Sequence, residues 1–396
     1  MPNKLFDLIN KIASKSERRI IGLMSGTSVD GLDVALVNIA GSGKEMSVRL
    51  LEHRVYDYPA NMVNEIKSCF SSESGRVDKI CELNFWLGSF YADKVLEFLK
   101  EIKLQPADVD CIASHGQTIH HLPHGKFFNT PSTLQIGELD VVAYKTKILT
   151  IGDFRTKDVS ANGQGAPLVS YMDYILYSDD EKTIAVNNLG GISNLTYLPK
   201  KCSKDDVIAF DTGPANALID LVAEKFFGVS YDKNGELAAR GKINEELLKV
   251  LMTIEEPFVD LKPPKTTGKE IYNLQYLEKA TRSFEKINRY DLIATITFFT
   301  AWSIYENYRR HIIPKGLDTV YFNGGGVKNT TLMNHLKIFF EKANVKIAVD
   351  ERFSKAKEAV CMAILAHEFL NGVSNNVPSA TGAKESVVCG KIALPF

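Results

Sequence analysis

The 396-residue chain reads as an α/β protein of two domains with a duplicated plan, and three observations predict it. Its length exceeds what one typical hydrophobic core supports, so two cores are expected, with a cleft between them as the default ligand site. An apolar run, a small-residue turn and a second apolar run open the chain near Arg19, and the same succession returns near Thr183. In both places a further strand-like run and a helical stretch follow, although the residue-level similarity between the halves is slight.

The elements follow in order. Ile20–Met24, Asp33–Ile39 and Ser47–Arg54 alternate as strands, joined by a turn through Gly26–Gly31 and a second at Gly41-Ser42-Gly43, which makes an antiparallel meander. Asn61–Lys103 has helical spacing, broken near Ser71–Gly75. Val109–Ser114 reads as a buried strand. Residues 115–170 are the least regular, with strand-like runs only at Thr133–Ile136 and Lys147–Ile151, and loops of this kind beside strands are where substrates are handled. A helix is expected from about Val169 to Tyr177. The meander then repeats as Thr183–Asn187, a turn at Leu189-Gly190-Gly191, Ser193–Leu198 and Val207–Phe210, leading through Asp211 into a helix ending near Phe227. Gly235–Met252, Asn288–Arg310, Asn329–Lys342 and Phe353–Phe369 have helical spacing, and Thr319–Phe322 is an apolar strand. The domains expected are 19–180, rejoined by 370–396, and 181–369. The leader, Met1–Arg19, mixes Lys and Arg with Asp7 and Glu17 and has no apolar core of signal-peptide length, so a short helix or frayed extension is expected.

Composition narrows the function. Net charge is −1 with both signs interspersed, which excludes an electrostatic nucleic-acid surface. No segment reaches membrane-spanning length. Six cysteines lie far apart without a C-x-x-C pair, as expected of reduced structural thiols in a cytoplasmic protein.

The chemistry is carried by glycine turns. In Gly26-Thr27-Ser28-Val29-Asp30-Gly31-Leu32-Asp33 and in Asp211-Thr212-Gly213, bare backbone and hydroxyls can crowd donors around anionic oxygens. An aspartate in such a turn would repel phosphate directly, so it must hold Mg²⁺ through water or act as a base. Together these two stretches read as facing phosphate-binding hairpins. A third cluster, Gly324-Gly325-Gly326, ends a strand ahead of a helix and suits close approach by a base or ribose. Three other motifs fail on inspection. Gly41-Ser-Gly-Lys44 resembles a P-loop but lacks its first glycine and its Ser or Thr, and Asp232-Lys-Asn-Gly235 has its glycine too early for a calcium loop and suits helix capping. His115, His120, His121 and His124 lack a completing zinc ligand.

These motifs stand in a recognisable order. Gly22-Leu-Met-Ser-Gly-Thr-Ser-Val-Asp-Gly-Leu-Asp33, Ser114-His-Gly-Gln-Thr118, Gly152-Asp-Phe-Arg155, Gly163-Gln-Gly-Ala-Pro-Leu168, Gly190-Gly-Ile-Ser-Asn194, Phe210-Asp-Thr-Gly-Pro214, Lys265-Thr-Thr-Gly268 and Pro378-Ser-Ala-Thr-Gly382 make the chain resemble the anhydro-N-acetylmuramic acid kinases from Arg19 to its end. The resemblance implies a two-domain actin/hexokinase-like fold, duplicated and ribonuclease H-like, with ATP in the interdomain cleft and Mg²⁺ as cofactor. By it, Gly26–Asp33, Thr212 and Gly213 are phosphate elements, Gly190 and Gly191 join them, and Gly324, Gly325 and Gly326 face the nucleoside. Asp30 would hold the metal through water, and Asp211 would be the catalytic base. His115, Asp153, Arg155, Asp158, Gln164 and Glu358 are the implied sugar contacts, with Arg155 suited to a lactyl carboxylate or, alternatively, to an internal Asp–Arg pair. The implied reaction opens the 1,6-anhydro bridge with water and phosphorylates O6, in peptidoglycan recycling. Partners would be the anhydrosugar, ATP and a second copy of the chain in a homodimer. Three positions depart from the pattern: Asn162 for glycine, Ser170 for proline and Lys269 for arginine. A levoglucosan-type kinase and a non-catalytic ATP-binding scaffold are the alternative readings.

Overall fold

The computed structural model describes residues 3–396, so Met1 and Pro2 of the leader lie outside the described residues. In chain order the regular elements begin with α1 (Lys4–Ala13), β1 (Glu17–Ser25), β2 (Gly31–Ala40), β3 (Ser47–Asp57), α2 (Ala60–Ser68), α3 (Val77–Glu101), β4 (Cys111–Leu122) and β5 (Ser132–Ile136). They continue with α4 (Leu139–Thr146), β6 (Thr150–Gly152), α5 (Thr156–Ser160), α6 (Val169–Tyr177), β7 (Ile184–Leu189), β8 (Ile192–Leu198), β9 (Ile208–Pro214) and α7 (Asn216–Phe227). The remainder are α8 (Glu245–Asp260), α9 (Leu274–Thr281), α10 (Arg289–His311), β10 (Thr319–Asn323), α11 (Thr330–Lys342), β11 (Lys346–Val349), α12 (Lys357–Leu370), α13 (Pro378–Thr381) and β12 (Lys391–Ala393).

Two sheets carry the chain. The first has the order β12-β6-β4-β1-β2-β3, with β5 folded back on β4. Its β1, β2 and β3 form the antiparallel meander, and β4 joins β1 in parallel. The second has the order β11-β10-β7-β8-β9, again a meander (β7, β8, β9) whose first strand pairs in parallel with the next, β10. The duplicated α/β plan expected from the sequence is therefore present twice, strand for strand through the meander and the first parallel neighbour.

Each compact unit has its own core. One holds the residues up to Leu176 together with Ala356–Phe396, and the other Tyr177–Lys355. The crossing back therefore comes at Ala356, earlier than the boundary at 369 that the sequence suggested. The reason is α12. Ala359 to Glu368 are buried without interruption, so beyond its first turn this helix has no solvent face and must sit inside a core. It packs on β1, β2 and β4 of the first sheet. Close approach is possible because residue 22 is glycine: a Cβ there would stand 1.8 Å from the Ala359 carbonyl oxygen.

The second core surrounds α10, whose Phe299, Ile304 and Tyr308 pack with Leu218 of α7, Phe322 of β10 and Phe340 of α11. From Asn3 on, the leader belongs to the first unit. Asn3 caps α1, and Arg18, 2% exposed, donates from Nε to the Ile12 carbonyl and from Nη1 to Asn371 Oδ1 at 2.9 and 2.8 Å. Arg18 also meets His367 Nδ1, whose other nitrogen donates to the Gly41 carbonyl, so His367 is a packed histidine.

Replacing Gly22 by alanine forces β1 and α12 apart. The expected outcome is a loss of about 2–3 kcal/mol, read as a lower urea midpoint with an unchanged slope.

Candidate active site

In the first unit the β1–β2 connection is built for a tight backbone. Val29 adopts φ 58°, rare for a β-branched residue, and its amide donates to the Gly26 carbonyl at 3.2 Å. Gln117 Nε2 donates to the same carbonyl at 3.3 Å, while its Oε1 accepts from Ser25, which in turn accepts from Tyr58 at 2.7 Å. Val29 and Leu32 are buried and offer the turn their backbone alone. Thr27, Ser28 and Asp30 are exposed. Gly31 is required by the sheet, since a Cβ would stand 2.7 Å from the Tyr56 carbonyl. Asp33 Oδ1 pairs with His53 Nε2 at 2.9 Å, a partner on β3 that no sequence motif marks.

The expected sugar contacts separate into groups with different surroundings. His115 lies buried on β4. Arg155 Nε, which can only donate, points at His115 Nε2 at 2.9 Å, so the proton sits on Nδ1 and goes to the Gly116 carbonyl at 2.7 Å. Burial, and then the Arg155 charge, hold the His115 pKa down to about 3, so the ring is neutral. Arg155 also donates from Nη1 to the Gly165 carbonyl at 2.6 Å, and among the described residues no hydrogen bond joins it to an aspartate. Its Nη2 has no acceptor among the described residues. Burial lowers its pKa to about 10, opposed chiefly by Glu358. Glu358, at the start of α12, faces solvent, and the surrounding protein followed by Asp33 pushes its carboxyl above the ordinary range.

Asp158 differs. It is 0% exposed, and its carboxylate accepts from Gly165 N, Asn376 Nδ2 and Thr381 Oγ1, each at 2.8 Å. Both oxygens are committed to tying the 163–165 loop to the C-terminal segment, so this side chain presents no surface to a sugar. Asp153, at φ 58°, forms an ion pair with Lys391. Gln164 is half-buried, with its amide donating to the Thr381 carbonyl at 2.8 Å.

In the second unit the topological counterpart of the β1–β2 turn is the β7–β8 turn, Gly190-Gly191. The expectation of two equivalent hairpins at Gly26 and Asp211 is thereby corrected: Asp211 lies within β9, the third strand, which runs directly into α7. The amides of Ala215, Asn216 and Ala217 donate to the Gly190 and Gly191 carbonyls at 3.0–3.1 Å, stitching the start of α7 to the turn. Lys269 lies over the turn, since a Cβ on Gly191 would meet its Cε at 2.6 Å.

Asp211 is held from two sides. Its amide donates to the Lys265 carbonyl at 3.0 Å, and its Oδ2 accepts from the Thr267 amide at 2.8 Å. Burial raises the carboxyl to about 6, with Thr267 opposing and Glu270 adding to the rise. Thr212 is the extra residue of a bulge, with Ser193 opposite Gly213 and Asn194 opposite Asp211. Its hydroxyl is spent on Ser193 Oγ at 2.6 Å, so it acts through its backbone. Gly213 has φ +107°, and a Cβ there would meet Ser303 Oγ at 2.3 Å. At the end of β10, Gly324 has φ +87° and Gly325 faces open space. The motif Lys265-Thr-Thr-Gly268 was visible in the sequence, but a role carried by the Thr267 backbone amide leaves no side-chain signature.

The family model for anhydro-N-acetylmuramic acid kinase matches residues 18–395. The chain belongs to that family. Among its relatives, the anhydro-N-acetylmuramic acid kinase of Caldanaerobacter subterraneus subsp. tengcongensis is 47% identical, over 98% of this chain and 100% of its own. Those of Clostridioides difficile and Bacillus cereus strain AH820 are 44% and 45% identical, over 95% of this chain and 98% and 99% of theirs. The departures from the family pattern have local explanations. Asn162 replaces glycine at φ 65°, a conformation asparagine tolerates better than other side chains. Ser170 is buried and donates to the Pro167 carbonyl at 2.8 Å at the start of α6. Lys269 keeps a cation over the Gly191 turn.

Asp158→Ala removes three acceptor contacts at once. The expected cost is about 3 kcal/mol in chemical denaturation, with Asp158→Asn recovering part of it.

Proposed function

We propose that the enzyme's chemistry runs through Asp211 as follows. As a member of the anhydro-N-acetylmuramic acid kinase family, the chain is a kinase that uses ATP to convert 1,6-anhydro-N-acetylmuramic acid to its 6-phosphate with opening of the anhydro bridge. In the bridged sugar O6 is an ether oxygen with no proton to lose, so the base acts on water. Asp211 takes a proton from a water molecule as its oxygen bonds to C1. The C1–O6 bond breaks, and O6 attacks the γ-phosphorus with ADP leaving. The observation that carries this reading is the clamp on Asp211: a carboxyl oriented by one amide and tuned to about 6 is ionised at neutral pH and still basic enough to receive a proton.

The other residues bind and orient. Arg155 offers its unspent Nη2, and the fork geometry suits a carboxylate such as the lactyl group. Glu358 offers an acceptor to sugar hydroxyls. The Gly26–Gly31 and Gly190–Gly191 turns and Lys269 receive phosphate oxygens, and Gly324–Gly326 receives the nucleoside. Among the described residues no cluster of three or more His, Cys, Asp or Glu side chains could enclose a metal ion. Exposed Asp30, beside the Thr27 and Ser28 hydroxyls, suits a hard cation that keeps most of its waters and is shared with phosphate, so Asp30 would hold Mg²⁺ through water. That ion, when bound, offsets charge on the phosphates. No helix among the described residues is long and apolar enough to cross a membrane.

A coupled ADP assay with the muramic anhydrosugar beside levoglucosan tests the reading. Preference for levoglucosan would overturn the substrate assignment. Asp211→Asn is expected to lower kcat by about 10³-fold with ADP affinity retained, the scale of a lost general base.

The pH profile follows from the sign of the shift. A raised carboxylate pKa means that Asp211 becomes protonated as pH falls through about 6, so kcat/KM should fall on the acid side there and plateau above. Glu270→Gln removes a charge that raises that pKa and should move the acid limb to lower pH; an unmoved limb would assign the ionisation to another group.

A further inference from the structure

Beyond the motifs, the second sheet carries a polar row that crosses four strands. By register, Asn323 of β10 is paired with Asn188 of β7, Asn188 with Asn194 of β8, and Asn194 with Asp211 of β9. Residues paired across strands project to the same face. Their neighbours Phe322, Leu189, Leu195 and Phe210 all belong to the core formed with α7, α10 and α11, so the row lies on the opposite face. With strands about 4.8 Å apart, it spans about 14 Å and ends at the base.

One observation says that the row meets a ligand, and a second shows how the row is accommodated. Asn323 is 5% exposed, and neither its Nδ2 nor its Oδ1 has a hydrogen-bond partner among the described residues. A buried carboxamide with both ends unsatisfied is unfavourable unless something supplies an acceptor and a donor together. Second, the flanking glycines leave room for the row. A Cβ on Gly324 would stand 2.5 Å from Asn188 Oδ1, and one on Gly190 would stand 3.2 Å from Asn188 Nδ2. The carboxamide of Asn188 therefore lies between the Gly190 turn and the Gly324 turn, and at 324, with φ +87°, the space and the backbone both call for glycine.

We propose that Asn323, Asn188 and Asn194 form a neutral hydrogen-bonding track that binds the polyphosphate of the nucleotide and aligns it from the Gly324–Gly326 turn towards Asp211. The inference rests on the reading of the chain as an ATP-dependent kinase. A hydrated polyphosphate matches the track because its oxygens accept from the amide nitrogens while its bound waters donate to the amide oxygens. Neutral carboxamides do this without adding negative charge beside Asp211. A row of lysines there would pair with the Asp211 carboxylate and lower its basicity.

The test uses nearly isosteric charge. Asn323→Asp and Asn188→Asp are titrated with ADP, inorganic tripolyphosphate and adenosine by calorimetry, without sugar. Each variant is expected to bind ADP and tripolyphosphate at least tenfold more weakly, with adenosine affinity unchanged. Asn188 is half-buried, so its variant serves if the deeper one fails to fold. ADP affinity unchanged in folded variants would overturn the track and leave Asn323 with a buried water alone, and an equal loss for adenosine would move the contact to the ribose or base and also overturn it. Failure of the kinase reading shows separately, as absence of sugar-dependent ADP release by the unaltered protein.

Discussion

The clamp on Asp211 is the constraint on which the site depends. A carboxylate taken out of water is destabilised unless donors replace the solvent it loses, and here one amide does so. That single donor is enough to fix direction and too little to hold the pKa at its ordinary value. The clamp is only as rigid as the segment that supplies it, and Lys265–Thr267 has no regular structure of its own. It is anchored by Lys265, whose ammonium donates to the Phe258 and Val259 carbonyls at the end of α8, at 2.8 and 3.0 Å, where helix carbonyls lack partners and favour a cation. Nearby, buried Glu255 accepts from Tyr272 and Tyr276 at 2.5 and 3.0 Å, tying α8 to α9.

The duplicated plan explains how two sheets of one design take different work. In the first, the meander turn is long and ends in Asp30; in the second, it is two glycines stitched to α7. The shorter turn brings the start of a helix against the sheet; along β9, alternation with the core residue Phe210 turns Asp211 and its partner Asn194 away from the core, and the bulge at Thr212, whose hydroxyl donates to Ser193, shifts the register of the residues that follow. A regular β8–β9 ladder would exchange the faces of the residues beyond the bulge.

Much of this was legible in the sequence, and the misses share a cause. Periodicity located both meanders and the helices 77–101 and 289–311, because each buries one face or a whole surface with a regular period. Glycine clusters located the turns, because close approach leaves glycine as the sole fit. The boundary at 369 misled because α12 is buried without interruption from Ala359 to Glu368, and a helix without an exposed face gives no sign of which core it joins. His53, Thr267 and Gln117 escaped because they act through partners 20, 56 and 91 residues distant, or through backbone atoms shared by every residue type. The row ending at Asp211 escaped for the same reason, since register across four strands is a property of pairing and not of any one segment.

Asp158 of α5 and Asp211 of β9 have opposite surroundings, and the difference lies in donor count. Asp158 is fully buried with three donors on its two oxygens, so both oxygens are engaged and no surface is left for a ligand. Even the neighbouring backbone is shaped around it: a Cβ at Gly163 would stand 2.2 Å from Asp158 Oδ2, so glycine at 163 serves the carboxylate rather than a phosphate. Asp211 has one donor on one oxygen, a raised pKa and a free second oxygen. A carboxylate saturated by its own protein is a strut, and one left a donor short keeps an oxygen that a proton can reach. Residue type and motif treat the two alike, so the assignment of roles follows from what each oxygen touches.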